Sequence, residues 1–118
     1  MPLALKKSIV ISSAFVALHR WKDAPEKFAF LRDYHRHVFQ VWVQIEVRHN
    51  DRDVEFFEAL EKLNYYLGKE LSNRKFDYSC EEFASLIFAH MKGDYAVTSV
   101  LVMEDGENGA VLELTDED

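Results

Sequence analysis

The segment 35–47 reads His-Arg-His-Val-Phe-Gln-Val-Trp-Val-Gln-Ile-Glu-Val, and its alternation points to the fold. From His35 to Val47, every second side chain is a histidine or an apolar residue, whereas most of the intervening positions are polar. A period of two residues over this length predicts a half-buried strand of an antiparallel sheet. His35 and His37 therefore start the face that continues into the core.

The segments on either side predict three more strands and two helices. Ser8 to Trp21 is rich in β-branched and aromatic residues, which favours a long strand, and the Pro25-containing stretch that follows it predicts a loop. The first helix is predicted from Phe56, Leu60, Leu63, Leu67 and Leu71, which recur at helical spacing. The second helix is predicted to begin at a capping box, Ser79 to Glu82, and the last two strands at Val97–Met103 and Ala110–Leu114.

The order β-β-α-α-β-β predicts an α+β fold. We expect one domain, 1–118, in which a four-stranded antiparallel sheet carries both helices on one face. Such a sheet has exposed edges that invite pairing with other chains, so a homo-oligomer is expected. The acidic tail from Thr115 to Asp118 is expected to fray.

Composition excludes several function classes. The net charge of −7 argues against nucleic acid as a partner, because phosphate backbones require a basic surface. No apolar run approaches the roughly 20 residues of a membrane span, and the single cysteine, Cys80, cannot form an internal disulfide. These features predict a cytoplasmic protein without membrane contact.

The histidine pair raises the question of a metal. Residues i and i+2 of a strand share a face, and His19, near the end of the preceding strand, would lie beside His35 and His37 if the two strands form a hairpin. Three histidines with an open fourth position are typical of a zinc site that polarises or activates a ligand. The alternative interpretation is a set of half-exposed histidines at a strand end.

Two further residues are candidates for proton transfer. Asp33 shares a strand face with His35 and could act as a base or accept a hydrogen bond from an imidazole N–H, although the favoured interpretation is a solvated loop carboxylate. Cys80 could be a nucleophile, but Glu81 and Glu82 beside it oppose thiolate formation.

Several motifs, taken in order, resemble one family. Leu18-His19-Arg20, His35-Arg36-His37 and Val102-Met103-Glu104 resemble motifs of the 6-pyruvoyl-tetrahydropterin synthase and 6-carboxytetrahydropterin synthase family. The segment 78–84, Tyr-Ser-Cys-Glu-Glu-Phe-Ala, is similar to that family's Pro-Thr-x-Glu-Asn-Leu-Ala. The resemblance implies the tunnelling fold, with strands joining across the subunits of a trimer or hexamer. It also implies Zn²⁺ on His19, His35 and His37, and a pterin or purine-like heterocycle anchored by Glu104 and contacted by Ser79.

The chain also departs from that family. The catalytic cysteine would fall at Leu31, and the family's Asp-His pair is absent from segment 71–77. The resemblance implies a lyase similar to 6-carboxytetrahydropterin synthase, an enzyme of queuosine biosynthesis, acting on a substrate like dihydroneopterin triphosphate. The departures favour an alternative, a zinc-containing protein that binds such a heterocycle without turnover. A structural oligomer that has only kept the fold is the third hypothesis.

Overall fold

The structure is a computed structural model that describes residues 4–115. The strands are β1 (Lys7–His19), β2 (His35–Val47), β3 (Lys75–Phe76), β4 (Val97–Glu104) and β5 (Asn108–Glu113), and the helices are α1 (Phe56–Tyr66) and α2 (Cys80–Met91). A 3-10 segment, Glu26–Arg32, lies between β1 and β2, and a π turn, Leu67–Leu71, extends α1. The predicted α+β class is confirmed. Residues 116–118 of the predicted frayed tail lie outside the described residues.

The sheet is built on one long hairpin. β1 and β2 pair antiparallel along their whole 13-residue lengths, from Lys7 opposite Val47 to His19 opposite His35. β4 pairs with β2 and β5 with β4, so the strand order is β3-β1-β2-β4-β5. β1 ends at His19, two residues before the predicted end, and Trp21 lies in the connection that follows.

The fifth strand, β3, corrects the prediction of four. Its two residues pair in parallel with Leu18 and His19 at the end of β1. A strand of this length is too short to show a period of two in the sequence. The pairing has a local consequence, because it fixes the backbone around Tyr78 beside His19.

Both helices pack against one face of the sheet, as predicted, and the core lies between them. Phe39 is central to this core: the ring centroids of Phe15 and Phe83 lie 5.0 and 4.9 Å from its own. Full burial of a side chain of this class stabilises the fold by roughly 1.5–3 kcal/mol. The ring centroids of His19 and Phe39 lie 5.1 Å apart, so the histidines pack against one end of the core.

The helices begin and end for local reasons. The capping box predicted for α2 is confirmed, since the Ser79 hydroxyl accepts from the Glu82 N–H and the Glu82 carboxylate accepts from the Ser79 N–H. The first helix was expected to continue regularly to Leu71, but its last turn widens so that the Ser72 N–H bonds to the Leu67 carbonyl at 2.8 Å. This turn keeps both Leu67 and Leu71 buried. No helix within residues 4–115 is both long and apolar enough to span a membrane.

Candidate metal centre and ligand cavity

Three histidines meet at the end of the β1–β2 hairpin. His19 lies directly opposite His35 in the register, and His37 follows on the same face of β2. Their potential ligand atoms all lie within 4.8 Å of one another. The structure therefore brings together the three histidines that were predicted as metal ligands, and it does so through the hairpin pairing on which that prediction depended.

The second nitrogen of each ring is held by an acceptor. The Nδ1 atoms of His19 and His35 lie 2.8 Å from the carbonyl oxygens of Tyr78 and Asp33, and Nδ1 of His37 lies 2.6 Å from the carboxylate of Asp105. A carbonyl oxygen can only accept, so the ring nitrogen facing it carries the proton. In a neutral ring this leaves the lone pair on Nε2, the arrangement seen in metal-binding histidines.

His19 is the most enclosed of the three, with 8% of its surface exposed. Burial lowers the pKa of His19 below its ordinary value, and this effect outweighs the hydrogen bond to Tyr78, which raises it. At neutral pH the ring is therefore neutral. This is the protonation state that can coordinate a metal ion.

Glu104 faces the same histidines from β4. It lies opposite Phe39 in the register, and its Oε2 atom is 3.2 Å from Nε2 of His19 and 3.8 Å from Nε2 of His37. A carboxylate oxygen and an unprotonated imidazole nitrogen are both acceptors, so their close approach is unfavourable unless a cation lies with them. The donor set of this cluster thus fits a metal ion.

Cys80 lies behind Glu104. Its Sγ atom is 3.6 Å from the Oε2 atom of Glu104, within range for a thiol to donate a hydrogen bond to a carboxylate. Burial and the neighbouring Glu104 charge raise the pKa of the Cys80 thiol to about 12. Cys80 is therefore a thiol at neutral pH, without the thiolate that a nucleophile requires.

A cavity of about 480 Å³ opens beside the histidines. Its lining comes from the end of β1, the connection to β2, the start of α2 and the β4–β5 hairpin. The lining includes His19, Arg20, Trp21, Leu31, His35, Asp77, Ser79, Cys80, Glu81, Glu82 and Glu104.

Comparison with solved structures identifies the fold. The structure of Caenorhabditis elegans 6-pyruvoyl tetrahydropterin synthase superposes with a TM-score of 0.71, covering 98% of this chain and 100% of that one. The chain has the 6-pyruvoyl tetrahydropterin synthase fold. Uncharacterized protein WS1659 from Wolinella succinogenes gives a TM-score of 0.63 over 93% of this chain and 99% of that one. Both are 14% identical in sequence. No protein-family model matches the sequence, and no curated protein matches it.

Within the 6-pyruvoyl tetrahydropterin synthase fold, the other predicted site residues have distinct environments. Ser79 lines the cavity, but its hydroxyl and N–H are both engaged with Glu82 in the capping box. Asp33 is exposed, and it is its backbone carbonyl that holds His35. Leu31 stands at the cavity wall, where the resemblance places the family's catalytic cysteine.

Asp105 is a residue of the site that the sequence analysis missed. Its carboxylate accepts from Nδ1 of His37 and, through Oδ1, from the N–H of Val38 at 2.9 Å. These two hydrogen bonds lower the pKa of Asp105, so the group is ionised at neutral pH. The Asp105-Gly106 pair, with φ of 52° and 70°, marks the tight β4–β5 turn, and that Asp-Gly pair was the signal available in the sequence.

Arg20 and Asp77 form a second polar group at the cavity wall. Nε of Arg20 donates to Oδ1 of Asp77 at 2.7 Å, and the guanidinium carbon lies 4.4 Å from the centre of the Tyr34 ring. The Tyr34 hydroxyl donates to the same Asp77 oxygen at 3.4 Å. The Arg20 contact lowers the pKa of Asp77 and raises that of Arg20, so both groups are charged.

Proposed function

We propose that this protein holds a zinc ion on His19, His35 and His37 and binds a pterin-like heterocycle beside it. The observation that carries the proposal is the convergence of one ring nitrogen from each of the three histidines, all within 4.8 Å of one another. The Glu104 carboxylate lies against the Nε2 atoms of His19 and His37, and an acceptor at Nδ1 orients each ring. Imidazole nitrogen is a preferred zinc ligand, and three such ligands leave a position for a bound molecule. Zinc held by the three histidines would polarise a carbonyl or hydroxyl group of a ligand bound at the open position.

Two side chains suit a flat heterocycle with a donor edge. A carboxylate can accept two parallel hydrogen bonds from an amino-pyrimidine edge, and Glu104, with a quarter of its side chain exposed, faces the site with its charge. Trp21 lines the same cavity and is 50% exposed, and an indole there can stack on the aromatic ring of a ligand. A pterin combines these two recognition features.

Between turnover and binding, the geometry favours binding. Leu31 stands where the 6-pyruvoyl tetrahydropterin synthase resemblance calls for a cysteine, and the Cys80 thiol is held protonated against Glu104. A general acid or base of this kind typically increases the reaction rate by roughly 10²- to 10⁴-fold. We therefore propose measurable pterin binding with weak lyase turnover, and Asp33 stays the first candidate for any remaining base, ahead of Cys80.

The test is metal analysis combined with ligand titration. Purified protein should carry about one zinc per chain, and the double variant His35→Ala/His37→Ala should lose it. His49→Ala is the matched control, since His49 is exposed beyond the opposite end of β2. The metal-loaded protein should bind 7,8-dihydroneopterin, and Glu104→Gln should weaken that binding without removing zinc. Stoichiometric zinc in the double variant would refute the metal site.

A further inference from the structure

A residue of β5 shares the cavity with Glu104. Asn108 begins β5 and lies directly opposite Glu104 in the β4–β5 pairing, so the two side chains project from the same face of the sheet. Side chains opposite each other in an antiparallel pair have Cβ atoms roughly 4.5–5.5 Å apart. Both residues line the cavity beside the histidines. The Asn108 amide is therefore within reach of a ring that Glu104 holds.

The Asn108 side chain is free to bind a ligand. It is exposed and makes no hydrogen bond to another residue within the described range 4–115. Ser79 differs in this respect, because its hydroxyl is engaged with Glu82. A primary amide offers two N–H donors and one carbonyl acceptor, whereas the Glu104 carboxylate only accepts. Asn108 thus adds donors beside an acceptor.

The turn that leads to Asn108 is held in place by hydrogen bonds. The Asp105 N–H donates to the Val38 carbonyl at 2.8 Å, and the Asp105 carboxylate accepts from the Val38 N–H at 2.9 Å. Within the turn, the Glu107 N–H donates to the Glu104 carbonyl at 3.0 Å. These bonds tie the tip of the hairpin to β2. A group carried on a fixed backbone loses less conformational freedom when it binds a ligand.

The edge of an amino-oxo pyrimidine ring has the complementary pattern. In a pterin, the 2-amino group and the N3–H form the donor pair that a carboxylate accepts, and the ring nitrogen N1 and the C4 carbonyl oxygen flank this pair. Both flanking atoms are acceptors. On whichever side of Glu104 the Asn108 amide meets the ring, an N–H of the amide matches the atom it faces.

We propose that Asn108 is a specificity-determining residue that donates a hydrogen bond to the ring acceptor beside the donor pair held by Glu104. The inference rests on the proposed function, because Glu104 must hold the heterocycle for Asn108 to reach it. Glu104 alone accepts from any ring with two adjacent donors. The two residues together select a ring in which an acceptor stands next to that pair, because a ligand without the acceptor leaves the amide N–H unpaired.

The experiment titrates 7,8-dihydroneopterin into zinc-loaded, full-length protein and compares Asn108→Asp with Asn108→Ala by calorimetry. Aspartate has the shape of asparagine but presents an acceptor where the amide presents its donors. Asn108→Asp should therefore weaken binding at least about tenfold, and more than Asn108→Ala, where water can take the place of the amide. If Asn108 only supported the hairpin, the isosteric aspartate would be the milder change of the two.

Controls separate recognition from loss of metal or fold. Asn50→Asp makes the same substitution at an exposed residue beyond the opposite end of β2 and should leave binding unchanged. Zinc content and urea unfolding are measured for every variant. Binding by Asn108→Asp as tight as that of the wild type, or tighter than that of Asn108→Ala, would overturn the inference while the proposed pterin binding stands. No binding by the wild type would overturn both.

Discussion

At the scale of single residues, the hydrogen bonds behind the histidines decide what the cluster can bind. Each Nδ1 has a different acceptor: a carbonyl after β3, a carbonyl before β2, and a carboxylate after β4. Only the last of these is a side chain, that of Asp105, and so only it can be removed by substitution. The His37–Asp105 pair therefore gives direct access to the orientation of one ring.

Replacing Asp105 by Asn should weaken metal binding while the three histidines remain. The amide keeps an acceptor for the Val38 N–H but loses the charge that holds the His37 ring, and such supporting partners are typically worth about 10- to 100-fold in metal affinity. Competition with a chromogenic chelator measures the change. Asp51→Asn is the control, because Asp51 is an exposed loop carboxylate at the other end of the hairpin. Equal zinc affinity in the wild type and Asp105→Asn would show that the carboxylate does not orient the ring.

Cys80 should make stability fall at alkaline pH. Its pKa of about 12 in the folded chain exceeds the ordinary thiol value of 9.0, so between these values the unfolded chain binds fewer protons than the folded chain. The contribution of this thiol to the free energy of unfolding is complete below pH 9.0. It declines by about 1.4 kcal/mol per pH unit as the pH rises toward 12. Urea unfolding of metal-free protein between about pH 8 and pH 11 measures it.

The comparison needed for this prediction is Cys80→Ser, whose hydroxyl does not titrate in that range. Tyr66 and Tyr95, whose pKa values are raised by burial, contribute equally to both proteins and cancel in the difference. The difference in unfolding free energy between wild type and variant should shrink steadily above pH 9.0. A difference independent of pH would mean that the thiol pKa is not raised by folding.

At the scale of elements, the β4–β5 hairpin determines where Glu104 and Asp105 lie. Gly109 pairs with Met103 in this hairpin, and a Cβ atom at Gly109 would lie 2.0 Å from the Val102 carbonyl oxygen and 2.7 Å from the Met103 Cα. Both are backbone atoms, so the clash cannot be relieved by a side-chain rotation. The hairpin requires glycine at this position.

Gly109→Ala should therefore destabilise the protein, by roughly 1–3 kcal/mol as in other overpacked sites. Gly68→Ala is the matched control, since a Cβ there meets nothing within 4 Å in the helical turn after α1. That second change should stabilise by about 0.5–1 kcal/mol, because alanine is the better helix former. Urea unfolding measures both, and a Gly109→Ala variant as stable as the wild type would contradict the packing described for the hairpin.

The sequence predicts the histidine cluster well and its supports poorly, for a physical reason. A period of two places His35 and His37 on one face, and hairpin pairing brings His19 to them. The supports depend on contacts between distant segments: Asp105 reaches His37 only through the register of β4 against β2. Tyr78 acts through a backbone carbonyl, which no pattern of side chains reveals.

At the scale of the whole molecule, the sheet leaves one face and both edges uncovered within residues 4–115. Helices cover only the face that carries Phe39, and the opposite face presents apolar side chains such as Val10, Trp42 and Val111 among polar ones. β5 is one edge, and β3 covers only two residues of β1 at the other. Edges of this kind are protected in many proteins by pairing between subunits.

We therefore predict a ring-shaped oligomer, a trimer or a stacked hexamer, in which β5 of one subunit pairs with the uncovered edge of the next. Light scattering at micromolar concentration should give a mass well above the 13.8 kDa of one chain. Val111→Glu, at a residue of β5 that is 54% exposed in the single chain, should weaken assembly by at least about tenfold, because an unpaired charge would be buried in the interface. Tyr65→Glu is the control: Tyr65 is 66% exposed on α1, on the covered side of the sheet, so this change should leave the mass unaltered. A wild-type monomer, or a Val111→Glu variant that assembles normally, would place the subunit contact elsewhere.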